Sequence, residues 1–420
     1  MIRPRAAVLL TGSELLRGVI SDRNAPFLSA ELERTGFEVR RTLIVGDPYE
    51  DVVQAVRELS AEVDLLVTSG GLGPTHDDRT VPAVAEVAGA ELLLDEEVLA
   101  KINEWTVGRA RRGGLDPSRF DAGNRKQAMV PVGASVIGLA GTAPGLVMPV
   151  GSAFAVILPG VPSELRRLWQ DVPAMPVLAG LFGRLQPRRQ LFLRTYGIGE
   201  SHVADLFEDA GGDSPGVETS ICARNFEIEI DIRSEPDAEG RAEELAAAMR
   251  QRLGDYLFAE DDRPVAELVL EQCRSRGWRL ATAESCTGGR VAAALTAIPG
   301  SSEAFSGGVV SYSNELKAAL LGVSEASLAE HGAVSPEVAR EMAEGAMERL
   351  GADVAVSVTG VAGPGGGTPD KPVGLVFVHV ASREGELQRR IEWPAEREQV
   401  QLRAMVAALH LVRAHLASLP

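Results

Sequence analysis

The sequence predicts an α/β protein: a helix-covered sheet at each end of the chain, with a small α+β unit between them. Three observations predict this. Apolar strand candidates alternate with helical segments from residue 1 to about 171. The same alternation returns from about Val265 to about His415. Between them, residues 172–260 are more polar and hold only two strand candidates and one clear amphipathic helix. Alternating strands and helices favour parallel sheets with helices packed on their faces.

In the first block the strand candidates are AAVLLTG, EVRRTLIVG, VDLLVTSGG and FAVILPG, with DVVQAVREL as one of the intervening helices. In the middle block RRQLFLRTYGIG and FEIEIDIRSE read as strands, the second with strict alternation, and EGRAEELAAAMRQRLG reads as an amphipathic helix. FAEDDRP (Phe258–Pro264) reads as a linker. The third block runs helix, WRLATA, helix, GGVVSYS, helix, ADVAVSVTG, VGLVFVHVA and a final helix.

At 420 residues the chain is long enough for two or three domains. Its net charge of −17 argues against non-specific nucleic-acid binding, which needs a basic surface, and against an anionic membrane partner. Phosphate ligands stay open, since local glycines and a few basic residues can hold them. Three scattered cysteines, Cys222, Cys273 and Cys286, make neither a disulfide framework nor a zinc cluster. The N-terminal apolar run is too short for a signal sequence, and no stretch reads as a membrane span. A cytoplasmic protein is expected.

In the first block TSGGLGPTHDDRT (Thr68–Thr80) directly follows the strand VDLLV. Gly70, Gly71 and Gly73 let the backbone approach a phosphate, at the strand edge where open α/β sheets bind ligands. Asp77 and Asp78 can hold a hard cation such as Mg²⁺ shared with substrate phosphates. His76 reads equally as an exposed loop residue. GTAPG and LPGVPSEL add two glycine-proline turns, with Pro162, Ser163 and Glu164 reading as a plain helix start. Glu14, Asp22 and Asn24 are weaker candidates.

The third block carries the stronger chemistry. AESCTGGR (Ala283–Arg290) turns a strand into a helix through an acid, two hydroxyls, a thiol and two glycines. The same residues suit a capped helix start, but three further phrases accompany them: SGGVVSYSNELK, HGAVS and SVTGVAGPGGG. Strand ends gathered at one sheet edge would bring together Ser285, Thr287, Tyr312, Lys317 and Thr359. This hydroxyl-rich set with one amine suits acyl transfer. A serine nucleophile needs a base, and a buried lysine with lowered pKa can serve. Tyrosine can relay a proton, and N–H groups at Gly288 or Gly289 could stabilise an oxyanion. Cys286 is the alternative nucleophile, and only one of the neighbouring pair can face a substrate. No metal is expected at this site.

TSGGLGPTHDDRT, NRKQA, GTAPG and LPGVPSEL resemble the CinA family of competence/damage-inducible proteins, as do AESCTGG, YSN with its following lysine, and TG-x-AGPGGG. The resemblance implies a molybdopterin-binding-like N-terminal domain with metal-dependent ADP-ribose pyrophosphatase activity. There Gly70, Gly71 and Gly73 would meet the pyrophosphate, and Asp77 and Asp78 a divalent cation. It implies a C-terminal nicotinamide mononucleotide deamidase, in which Ser285 is the nucleophile and Tyr312 and Lys317 handle protons. Thr287, Gly288, Gly289, Thr359, Gly360, Gly363 and Pro364 would position the substrate. Arg397 and Arg403 would take its phosphate. A homodimer is expected by the same resemblance. A non-catalytic interaction protein of competence or DNA repair, and a pterin-binding protein, are the competing functions.

Overall fold

A computed structural model describes residues 3–114 and 116–420. Met1 and Ile2, at the start of the first sequence block, and Leu115 lie outside the described residues. The chain divides into two compact units, one ending at Arg189 and the other spanning Gln190–Pro420. Among the described residues no helix is long and apolar enough to cross a membrane.

The first unit is built on a six-stranded sheet. Its strands are β1 (Arg5–Thr11), β2 (Glu38–Val45), β3 (Leu65–Ser69), β6 (Ser135–Leu139), β7 (Pro144–Val150) and β8 (Ala153–Leu158), in the order β2-β1-β3-β8-β7-β6. The short strands β4 (Leu92–Leu94) and β5 (Met129–Pro131) pair separately. The four strands legible as apolar runs, β1, β2, β3 and β8, are parallel. The sheet as a whole is mixed, because β6 and β7 add antiparallel partners beyond β8. β1 and β3 are buried almost throughout, as strands covered on both faces must be. One apolar cluster lies on each face, around Leu9, Leu66 and Ile102 on one side and Val8, Leu28 and Phe37 on the other. Val172, Leu178 and Leu181 pack into the second cluster. Residues 172–189 therefore sit with this unit, whereas the composition shift placed them in the middle block.

The second unit holds two sheets. In the smaller, β9 (Arg189–Tyr196), β10 (Val217–Arg224), β11 (Glu227–Ser234) and β12 (Leu257–Ala259) run in the order β10-β11-β9-β12. The helix Glu239–Leu253 packs Ala242, Ala246 and Met249 into the cluster that holds Ile230 and Ile232. The larger sheet has the order β14-β13-β15-β16-β17, from β13 (Leu280–Glu284), β14 (Phe305–Val310), β15 (Val354–Gly360), β16 (Leu375–Ser382) and β17 (Gly385–Glu392). β13 runs parallel to β14 and β15, β16 pairs antiparallel with β15, and β17 pairs antiparallel with β16. The helices Val265–Arg276 and Arg397–Ser418 cover one face, and Pro336–Leu350 covers the other. The edge strand β17 is half charged and almost wholly exposed, which is why periodicity and hydropathy gave no strand there.

Candidate functional site

The three parallel strands of the larger sheet end in register. Glu284 lies opposite Val310 on one side and Val358 on the other. Ser285, Ser311 and Thr359, the residues that follow, therefore emerge at one sheet edge. The ladder continues one step past Glu284, since the Ser285 N–H donates to the Val358 carbonyl at 2.9 Å and the Ser311 N–H to the Glu284 carbonyl at 2.9 Å. This is the carboxyl edge at which open α/β sheets place their chemistry.

Lys317 reaches this edge from the helix Asn314–Leu321. Ser313 starts that helix by accepting the Leu316 N–H, as an N-cap residue does. One turn later the Lys317 side chain points inward and is only 1% exposed. Its Nζ donates to Ser285 Oγ at 3.0 Å and to the Ser311 carbonyl at 2.9 Å. Burial holds its pKa below the ordinary lysine value, opposed only by the nearby Cys286 thiol. A neutral amine at that distance can accept the Ser285 hydroxyl proton.

Cys286 takes the opposite orientation. It is buried in the apolar cluster with Val291, Val358 and Val400. Burial pushes its thiol up to about 12, so little thiolate forms near neutrality. Of the two neighbouring nucleophile candidates, only Ser285 has a base beside it.

The glycine turn behaves differently from expectation. Glu284, 1% exposed, folds its carboxylate onto the helix start. Oε2 accepts from the N–H groups of Gly289 and Val291, both at 3.0 Å, and Oε1 from Ala292 at 2.8 Å. The Gly288 N–H donates to the Ser285 carbonyl at 3.1 Å. The two glycine N–H groups expected to stabilise an oxyanion are thus occupied. Their positive φ values, 61° and 98°, explain the glycines as turn residues instead. The Thr287 N–H, by contrast, donates to no described residue, and the Cys286 N–H meets only its own thiol. The Thr287 hydroxyl is buried without a partner, as is that of Ser311. These are polar groups of the edge that the described residues leave without a partner.

Other predicted residues divide. Arg397 donates to the Gly363 carbonyl at 2.8 Å and to the Tyr312 hydroxyl, tying together three of the predicted positions. Tyr312 is exposed, and its hydroxyl meets Arg397 rather than Ser285 or Lys317. Pro364 follows Gly363 through a cis peptide bond. The Thr359 hydroxyl is used structurally, donating to the Ala333 carbonyl at 2.7 Å. A Cβ on Gly360 would lie 2.6 Å from the Leu375 carbonyl, so close strand packing explains that glycine. Arg403 is not brought to this edge. Its guanidinium lies 4.7 Å from the Trp393 ring centre and 5.6 Å from that of Phe226. Gln401, unnoticed in the sequence, donates to the Cys286 carbonyl at 2.7 Å and so anchors the nucleophile turn.

The first unit has its own cavity, of about 510 Å³, lined by Gly70, Gly71, Gly73, Asp77, Asp78, Asn24 and Glu164 among others. The glycines have packing reasons as well: a Cβ on Gly71 would fall 2.2 Å from Thr80 Oγ1, at a φ of +66°. The Thr75 hydroxyl sits between Asp77 Oδ1 and Asp78 Oδ2, and Lys126 donates to the Thr75 and Asp78 carbonyls. The hydrogen bond from that hydroxyl, above all, holds the Asp77 carboxyl below the ordinary aspartate pKa. Among the described residues no group of three or more acidic, His or Cys side chains is placed to hold a metal. Two adjacent carboxylates, each with one oxygen unspent on Thr75, nevertheless fit a cation shared with substrate phosphates, the usual arrangement for Mg²⁺. Exposed His76 does not line the cavity. Glu164, read from sequence as a helix start, does line it, and burial raises its pKa. Asn24 donates to Ser69 Oγ and the Gly160 carbonyl, leaving its buried Oδ1 without a partner.

Comparison with known proteins covers nearly the whole chain. Residues 262–416 match the CinA C-terminal domain, residues 7–179 a probable molybdopterin binding domain, and residues 190–259 the damage-inducible protein CinA KH domain. A CinA-like protein of Mycobacterium tuberculosis is 43% identical, over all of this chain and 99% of its own length. One of Mycobacterium marinum is also 43% identical, over 98% of each. The crystal structure of a competence/damage inducible protein of Agrobacterium tumefaciens shares 38% identity. It covers 38% of this chain and all of its own, with a TM-score of 0.36.

Proposed function

The chain belongs to the CinA family, and on that premise we propose that its C-terminal domain hydrolyses the carboxamide of nicotinamide mononucleotide to nicotinate mononucleotide and ammonia. The observation that carries this reading is the contact between Lys317 Nζ and Ser285 Oγ at 3.0 Å, made by a buried lysine of lowered pKa. Ser285 Oγ attacks the amide carbon while neutral Lys317 takes its proton. The resulting oxyanion is assigned to the N–H groups of Thr287 and Cys286, neither of which donates to another described residue. As the C–N bond breaks, Lys317 returns the proton to the leaving nitrogen, and ammonia departs. Water, deprotonated by the same amine, then cleaves the ester and restores Ser285. Arg397, held by Gly363 and Tyr312, supplies charge for the substrate phosphate. Tyr312 is assigned to that phosphate end rather than to proton transfer.

A second reading concerns the first unit. The cavity near Gly70, Gly71 and Gly73, with Asp77 and Asp78 at its wall, supports a site for the diphosphate of ADP-ribose. Asp77 and Asp78 would hold a divalent cation there, which when bound neutralises diphosphate charge. Glu164, whose raised pKa suits proton exchange, is the acid–base candidate of that cavity.

The direct test is ammonia release from nicotinamide mononucleotide by the purified full chain, with ADP-ribose cleavage followed in parallel. Turnover of the first substrate supports the deamidase. Its absence, with the protein folded, would favour the interaction-protein reading.

A further inference from the structure

A cavity of the Gln190–Pro420 unit, about 710 Å³, lies between the small sheet and the strand β17. Ser285, Lys317, Tyr312 and Arg397 are not among its lining residues. Its walls carry three arginines, Arg389, Arg390 and Arg403, and three aromatic rings, Tyr196, Phe226 and Trp393.

Two of these arginines, Arg389 and Arg403, are held by rings rather than by acids. Arg403 lies over both Trp393 and Phe226, and these two rings meet edge to face with centres 5.0 Å apart. Arg389 lies 5.6 Å from the Tyr196 ring centre and donates to its hydroxyl at 3.3 Å. Tyr196 in turn stacks on buried His410 at 3.8 Å. Among the described residues Arg390 alone of the three has a carboxylate partner, Glu392. The other acid of the lining, Glu227, is already engaged by Arg194 and His410. The half-buried Arg403 guanidinium donates to no described residue, so its fork of N–H groups is unspent. The Phe226 ring that clamps it is presented by a strained turn, with Asn225 at φ 53° and Phe226 at φ 64°. Bulky residues rarely adopt that region unless their surroundings hold them there.

We propose that this cavity binds a small phosphorylated molecule through a phosphate or diphosphate group taken by Arg403 and Arg389. A guanidinium already lies over each ring, so recognition falls to the N–H forks, whose planar geometry matches phosphate oxygens. The chain's overall negative charge disfavours a nucleic-acid strand as the occupant. The shared chemistry is the phosphate anion, whether free diphosphate or part of a nucleotide.

The test uses the full chain labelled with 5-fluorotryptophan, with the Trp393 resonance assigned through Trp393→Phe. Inorganic diphosphate and ADP are titrated separately up to millimolar concentration. The expected result is a saturable shift at Trp393, with Trp105, Trp169 and Trp278 reporting binding elsewhere and the integrity of the fold. Arg403→Met should weaken that response about tenfold or more, as loss of a charge-assisted bond requires. Arg389→Met should weaken it as well. Response to diphosphate alone assigns the anion as sufficient, and response to ADP only assigns a nucleotide. Two results overturn the proposal: no shift at Trp393 with either probe, or shifts unchanged in both variants.

Discussion

Replacing Glu284 by glutamine tests how the nucleophile turn is held. The buried carboxylate accepts three backbone N–H groups, two on one oxygen and one on the other. Glutamine keeps one oxygen and can still accept two of them. Its NH₂ group then faces the third N–H, and two donors meet. A hydrogen bond to a charged group contributes about 1.5–3 kcal/mol, and the remaining two become neutral and weaker. Loss of a negative charge at a helix start removes about 0.3–1 kcal/mol more. The expected cost is therefore about 3 kcal/mol. It should appear first as faster amide hydrogen exchange at Gly289, Val291 and Ala292, and then as a lower urea midpoint for the C-terminal transition. Ser285 is the next residue along the chain, so its placement should loosen too. A misplacement of about 1 Å costs on the order of 100-fold in rate. If Glu284→Gln left those three amides as protected as in the wild type, and stability within about 0.5 kcal/mol, this reasoning would be refuted.

Further expectations concern titrating groups and metal. A lysine base must be neutral, and burial lowers the Lys317 pKa. The deamidation rate should therefore rise with pH through a value below the usual 10.4 and level off above it. Lys317→Arg should be inactive at every pH, because a guanidinium cannot accept the proton; retained activity would reduce Lys317 to a binding role. The unfolded chain holds the Lys317 proton over a pH window where the folded chain has released it. That group alone should thus make stability rise with pH from its lowered folded value up to about 10.4. Lys317→Met, which removes the charge, should flatten this part of the urea-midpoint profile, and an unchanged slope would count against the lowered pKa. A chelator should stop ADP-ribose cleavage and spare deamidation, whereas loss of both would break the assignment of metal to Asp77 and Asp78 alone. Glu164→Gln should lower ADP-ribose turnover without changing deamidation, and unaltered cleavage would return Glu164 to its role at the helix start.

Much of the C-terminal site was legible because its residues sit where strands end. WRLATAES and ADVAVSVTG show their strands by apolar runs, and parallel pairing then aligns Ser285 with Thr359 at one edge. The 32-residue separation of Ser285 and Lys317 hid no ambiguity once both lay at that edge. Directions of backbone groups were not legible. Nothing in AESCTGGR says that its own glutamate folds back onto the N–H groups of Gly289, Val291 and Ala292. Arg403 was misplaced although a signal existed. Six residues separate it from Arg397, about 240° of rotation at 3.6 residues per turn, so the two face different ways. Gln401, four residues from Arg397, lies on the same face and was findable by that rule. In the first unit the four parallel strands were visible as apolar runs, but β6 and β7 were masked by the glycines and prolines that shape their hairpin. Glu164 was hidden by its position in an ordinary helix-start pattern, because cavity lining depends on packing from distant segments.

The central claim is that Ser285, and not its neighbour Cys286, performs the attack with Lys317 as base. It is tested most directly by measuring ammonia release from nicotinamide mononucleotide by Ser285→Ala and Cys286→Ala side by side. Removing a nucleophile that acts in concert with its base lowers kcat by roughly 10⁴–10⁶-fold. Ser285→Ala should show that loss while keeping its fold. Cys286→Ala removes only a buried thiol whose pKa lies near 12, and should retain turnover within about tenfold of the wild type. The reverse pattern, or wild-type ammonia release by Ser285→Ala, would contradict the account.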